Sequence, residues 1–169
     1  GLGSSSAFAV GLVNALFALK GKRVSKETIA RTAAHIEIKM LKRFIGKQDH
    51  YASAYGGVNV FTFYKNEKVL VKPLKKINYN NLINNISLFF TFKQRDTHAG
   101  SILKKQKLNS DANIKELKNL LKDVDLCEKI MTKKKNLDGL GKILDRSWKF
   151  KLKNLKSKNM KQLNFVYKK

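Results

Sequence analysis

Three places in the chain combine residue types that can do chemistry. The first is the opening, Gly1-Leu2-Gly3-Ser4-Ser5-Ser6. Glycines there let backbone come close to a ligand, and serine hydroxyls with the free N–H groups of a helix start can meet an anion. The spacing is not a Walker A loop, because no Lys follows the second glycine, and not a dinucleotide fingerprint, because Ser6 stands where a third Gly is needed. On spacing alone, a capped and buried helix accounts for the stretch as well as a phosphate site does. The second place is Glu37, whose helical neighbours are Ala33, Ala34, Met40 and Leu41. A carboxylate on so small and apolar a face is costly unless something compensates it. A salt bridge to Lys or Arg would do so, and so would a bound Mg²⁺, which takes carboxylate oxygens together with phosphates and water. The third place is Asp49, in Gly46-Lys47-Gln48-Asp49-His50-Tyr51. It could accept or orient the proton of a substrate hydroxyl during phosphoryl transfer. A turn or cap is the plainer role. His50 reads as a surface or packing histidine, not a metal ligand, and Gly56-Gly57 makes a tight corner nearby.

These residues need elements to position them. Ser4–Ser6 can cap a helix from about Ala7 to Leu19, ended by Gly21. That helix is apolar on every side (Phe8, Val10, Leu12, Val13, Leu16, Phe17, Leu19) and is expected to lie inside a structure. A second helix is expected over 26–43, with Ile29, Ala33, Ile36, Met40 and Phe44 at helical spacing. A glycine turn at Gly46 and a short helical or irregular stretch lead to Gly56-Gly57. Alternation over 58–64 and 69–71, with a turn at Asn66, reads as a β-hairpin. Pro73 closes this block and marks a candidate domain junction. Beyond it, 86–92 (ISLFFTF) reads as one buried strand. Helices are expected over 101–106, 114–131 and 137–151, the last around Trp148. No internal repeat is visible.

Composition narrows the function classes. Thirty-six Lys and Arg against twelve Asp and Glu give a net charge of +24, which invites a nucleic-acid partner. Arg, the residue best suited to phosphate and base-edge forks, occurs only at Arg23, Arg31, Arg43, Arg95 and Arg146. The wealth of Lys, Asn and Ile points to AT-rich coding DNA, so nucleic acid ranks below a small-molecule substrate as the main partner. A single cysteine, Cys127, excludes a disulfide framework within the chain and fits a reducing cytoplasm. The longest apolar run, 7–19, is interrupted by Gly11 and Asn14 and is shorter than the about 20 residues that span a bilayer. No membrane association and a cytoplasmic location are expected, and the sequence sets no oligomeric state.

In this order the motifs resemble the GHMP kinase superfamily, the galactokinase, homoserine kinase and mevalonate kinase group. GLGSSSAFAVGLVNAL is similar to its glycine- and serine-rich ATP loop, and IGKQDHYASAYGGVNVFTF (45–63) resembles the branch that includes D-glycero-D-manno-heptose 7-phosphate kinases. Residues 81–106 and LDGLGKILDRSWKFKL (137–152) are similar to later parts of the same branch. His50 stands where that branch has glutamine. The resemblance implies an α+β two-domain fold, a ribosomal protein S5 domain 2-like first domain (1–74) and a ferredoxin-like second domain (75–169), here an internal fragment truncated at both ends. It implies ATP and Mg²⁺, with Gly1, Gly3, Ser4, Ser5 and Ser6 lining the ATP phosphates. It also implies Ser5 and Glu37 as metal ligands, Asp49 as the catalytic carboxylate, and Arg95 and Thr97 on the substrate side. The implied reaction passes the γ-phosphate of ATP to a sugar or sugar-phosphate hydroxyl, that of D-glycero-D-manno-heptose 7-phosphate at its anomeric position. The 169-residue chain alone is expected to be inactive. The alternatives are a basic nucleic-acid-binding module and a non-catalytic, decayed kinase relative.

Overall fold

Gly3 decides where the first helix starts. Its φ of 70° is the left-handed conformation that glycine adopts without steric cost. The backbone turns there, Ala7 N donates to Gly3 O at 2.9 Å, and α1 runs Ser4–Leu19. The serines therefore lie inside the first turn and do not cap a helix starting at Ala7. No side chain caps this end, and the N–H groups of Ser4, Ser5 and Ser6 have no carbonyl within the helix to bind. At the other end Gly21, φ 67°, closes the helix as Lys22 N donates to Phe17 O at 2.9 Å.

The computed structural model describes residues 3–75, 77–90, 114–133 and 137–154. The described architecture is α+β, with six α-helices and one two-stranded antiparallel sheet. The chain divides into two compact units, Gly1–Pro73 and Leu74–Lys169.

In the first unit, α2 (Lys26–His35) is capped by Ser25, whose hydroxyl accepts from Thr28 N at 3.1 Å. The single helix expected over 26–43 is not what forms. After His35 the chain widens into a π-helical turn, Ile36–Met40, and Lys42 then takes a left-handed φ of 51° that ends the run. The side chains beyond His35 thus leave the α-helical phase on which their faces were assigned. A short connection leads to α3 (Gln48–Tyr55), stopped by Gly56 at φ 64°. The strands β1 (Asn59–Phe63) and β2 (Val69–Pro73) pair antiparallel, Phe61 opposite Val71 and Phe63 opposite Val69. Asn66 sits in the connecting turn, its Oδ1 accepting from Lys68 N.

The three helices pack on one another through two small cores. Val10, Val13, Ile29 and Ala33 form one, and Ala30, Tyr51 and Val69 the other. Alanines at 30, 33 and 34 keep that face of α2 small, so neighbouring helices approach closely. The hairpin covers α3 through aromatic rings: Tyr51 meets Phe61 edge-on at 6.3 Å and Phe63 at 6.0 Å between centroids. Such pairs are worth about 0.5–1.5 kcal/mol each beyond their buried area. On α1 only one stripe is covered, Ser6, Val10 and Val13, at helical spacing. Phe8 is 72% exposed, and Leu12, Leu16 and Leu19 are also exposed, contrary to the expectation of burial all round. Among the described residues only α2 and α3 pack broadly against this helix.

In the second unit, α4 (Tyr79–Asn84) is capped by Asn78, which accepts from Asn81 N at 3.0 Å. The long helices α5 (Ile114–Lys133) and α6 (Asp138–Asn154) pack around Ile130 and Ile143. Arg146 donates to the largely buried Asp123 across them. Gly139 allows the close approach, since a Cβ there would lie 2.8 Å from Ile130 Cδ1. The buried strand expected over 86–92 is not seen in its described part. Residues 86–90 are irregular, with Ile86, Leu88, Phe89 and Phe90 exposed, and no described strand pairs with them. A strand without a ladder partner leaves its backbone groups unsatisfied. Residues 91–92 and the helix expected over 101–106 lie outside the described residues.

Candidate functional site

The start of α1 and the start of α3 meet. A Cβ built on Gly3 would lie 3.4 Å from both Cγ and Oδ2 of Asp49. The carboxylate of α3's first turn therefore rests against the backbone at the entrance to α1, beside N–H groups that have no acceptor within the helix. Asp49 is exposed, and Ser4 and Ser5 next to this contact are exposed as well. Ser6 is different: it is buried, on the side of α1 that carries Val10 and Val13. Gly1, Arg95 and Thr97 lie outside the described residues.

Asp49 does not cap its helix, as Lys47 holds the cap position and no side chain bonds there. Two interactions fix this end of α3 from outside. Lys47 pairs with Glu67 at the tip of the hairpin, and that hydrogen bond holds the exposed Glu67 carboxyl below the usual glutamate range. On the other side His50, wholly buried, donates from Nε2 to Glu37 Oε2 at 2.7 Å. Burial pushes up the hydroxyl pKa of Tyr51 on the same helix, with a smaller contribution from Glu27.

Glu37 is 3% exposed and sits on the π-helical turn. Arg43 Nη1 donates to its Oε1 at 2.6 Å, while Oε2 accepts from His50. The carboxylate is thus compensated by an Arg, one of the two solutions the sequence allowed. The histidine partner is the residue that sequence reasoning missed. The available signal was a buried carboxylate in need of donors and a histidine on the next helix, but nothing in the spacing joined them. A divalent cation needs oxygen donors in surroundings that do not already hold a positive group against them. Glu37 has a guanidinium on one oxygen and an imidazole on the other. As arranged, the Glu37 carboxylate does not fit Mg²⁺. Among the described residues no group of three or more His, Cys, Asp or Glu is placed to hold a metal. No described helix is long and apolar enough to cross a membrane.

The arrangement offers an anion-binding helix start with a carboxylate against it. Residues 1–57 match the GHMP kinases N terminal domain. That segment is therefore similar to the N-terminal domain of the GHMP kinases. It holds Gly3, the three serines, Glu37 and Asp49, and it stops just before β1. Over 153 residues the chain is also 30% identical to a D-glycero-alpha-D-manno-heptose 7-phosphate kinase of Campylobacter jejuni subsp. jejuni serotype O:2. The alignment covers 89% of this chain and 45% of that kinase, so the chain spans a little under half the length of its relative.

Proposed function

We propose that this chain is the ATP-loop segment and part of the second domain of a sugar kinase. The acceptor we infer is a sugar phosphate, D-glycero-D-manno-heptose 7-phosphate, at its anomeric hydroxyl. The observation that carries this is the contact of Gly3 with Asp49. It sets an anion-binding helix start against a carboxylate, and phosphoryl transfer needs those two parts side by side. The likeness to a heptose phosphate kinase supports the acceptor class.

In this scheme the backbone at Gly1 and Gly3, with Ser4, Ser5 and Ser6, receives the phosphates of ATP. The free N–H groups of α1's first turn and the helix dipole favour the negative charge that gathers there. Asp49 accepts a hydrogen bond from the acceptor hydroxyl and orients it towards the γ-phosphorus. The new O–P bond forms as the β,γ-bridging P–O bond breaks, and the hydroxyl proton passes to Asp49 and then to solvent. Arg95 and Thr97 are assigned to the sugar side. The proposed domains are 1–74, S5 domain 2-like, and 75–169, ferredoxin-like.

The test is transfer of label from [γ-³²P]ATP to a panel of sugars and sugar phosphates by the full-length protein. The expected product carries a second phosphate that mild acid releases, as it does a glycosyl phosphate. Label appearing only as inorganic phosphate, with no dependence on any sugar, would count against a sugar acceptor.

A further inference from the structure

We propose that the buried pair Glu37 and His50, closed from the surface by the exposed Arg43, forms an anchor that fixes the direction of Asp49, with His50 as the positioning residue, and that Glu37 serves this anchor and not a metal. In the segment joining α2 to α3, Ile36 packs against the first core, while Met40 and Leu41 beyond it are exposed. The polar ties of this segment are correspondingly important. Glu37 Oε1 accepts from Arg43 at 2.6 Å and Oε2 from His50 at 2.7 Å, while Arg43 N donates to Glu37 O at 3.0 Å. One carboxylate thus gathers the π-helical turn, the connection and the first turn of α3. His50 is fully buried and precedes Tyr51, itself in the second core, so α3 cannot turn about its axis without breaking the Nε2 bond. Asp49 is its neighbour, and the same turn that buries His50 aims Asp49 at Gly3.

The inference rests on the kinase role for its rate readout, and two further measurements keep it separable from that role. Gln places an N–H donor near the position of His Nε2, whereas Asn is too short and Leu has none. In the full-length protein His50→Gln is expected to keep kcat within about twofold. His50→Asn and His50→Leu are expected to lower kcat by about 10- to 100-fold, the scale of a misplacement of roughly an ångström, with KM for ATP little changed. Glu37→Gln is expected to lower kcat similarly while the Mg²⁺ concentration for half activity stays the same. Binding of Mn²⁺·ATP, read by electron paramagnetic resonance without turnover, is likewise expected to be unchanged in Glu37→Gln. The second non-kinetic readout is the His50 Nε2–H proton resonance, expected to be slow to exchange in the wild type and lost in Glu37→Gln. Failure of the wild type to transfer phosphate would sink the kinase role, and the resonance would still decide the anchor. A raised Mg²⁺ requirement or weakened Mn²⁺·ATP binding in Glu37→Gln overturns the proposal. So does a His50→Asn protein with wild-type kcat, or a His50→Gln protein that melts normally and has lost its rate.

Discussion

Replacing Gly3 by alanine separates the structural cost of the loop from its chemical use. Gly3 sits at φ 70°, where a residue with a Cβ pays about 1–2 kcal/mol. Alanine also restricts the unfolded chain, which offsets about 0.4–1 kcal/mol of that. The new Cβ would meet Asp49 at 3.4 Å, ordinary van der Waals contact, so no clash adds to the cost. The net destabilisation is about 1 kcal/mol, a melting-temperature drop of about 2–4 °C in a chain of this size. The chemical effect is expected to be much larger. The methyl group fills the space between the helix start and the carboxylate, so kcat/KM for sugar phosphorylation falls by about 10²-fold. Asn at this position tolerates the left-handed backbone better yet brings the same Cβ, so Gly3→Asn should melt closer to wild type and be as inactive. Melting by circular dichroism and a coupled ADP-release assay on the same preparations measure both effects. Gly3→Ala and Gly3→Asn proteins that keep wild-type kcat/KM would show that transfer does not occur at this contact.

Other outcomes follow from the packing and the titrating groups. Ala33 is wholly buried between helices, so Ala33→Leu should overpack that core and cost about 1–3 kcal/mol in denaturant unfolding. Lys42 holds a left-handed φ of 51° on an exposed connection, and Lys42→Gly should stabilise by about 0.5–1 kcal/mol in the same experiment. The hydroxyl of Tyr51 is raised above its ordinary pKa of 10.0 by burial, so its neutral form stabilises the fold below that pH. That contribution disappears as pH rises through the higher folded value, and Tyr51→Phe should lessen the alkaline loss of stability. Absorbance at about 295 nm against pH reports the ionisation. The Cys127 thiol is pushed up by burial and by Asp123, so it should react with a disulfide reagent at neutral pH more slowly than free cysteine.

The parts of the fold that local pattern controls were legible in the sequence. Alternation over 58–64 and 69–71 marked the hairpin, which forms as 59–63 paired with 69–73, and helical spacing marked α5 and α6 to within a few residues. The start of α1 was not legible, because nothing in GLGSSS says which glycine turns left-handed, and Gly3 rather than the serines sets the boundary. The run at 86–90 is apolar enough for a strand, but strand formation depends on a distant partner that composition does not reveal. At the site, Asp49 and the opening loop were singled out by residue type and resemblance, whereas their contact arises from the packing of α1 on α3. Glu37 stood out as a carboxylate needing compensation. Its partner His50 did not, because the π-helical turn shifts the phase of the helix after His35 and a separation of thirteen residues matches no helical repeat.

The most direct measurement is the rate of phosphate transfer from ATP to D-glycero-D-manno-heptose 7-phosphate by the full-length protein and its Asp49→Asn variant. Asn keeps the size of the side chain and removes the proton acceptor. A loss of about 10²–10⁴-fold in kcat, with ATP affinity and melting temperature preserved, is the result the geometry predicts. An Asp49→Asn protein that phosphorylates the sugar at the wild-type rate would contradict it.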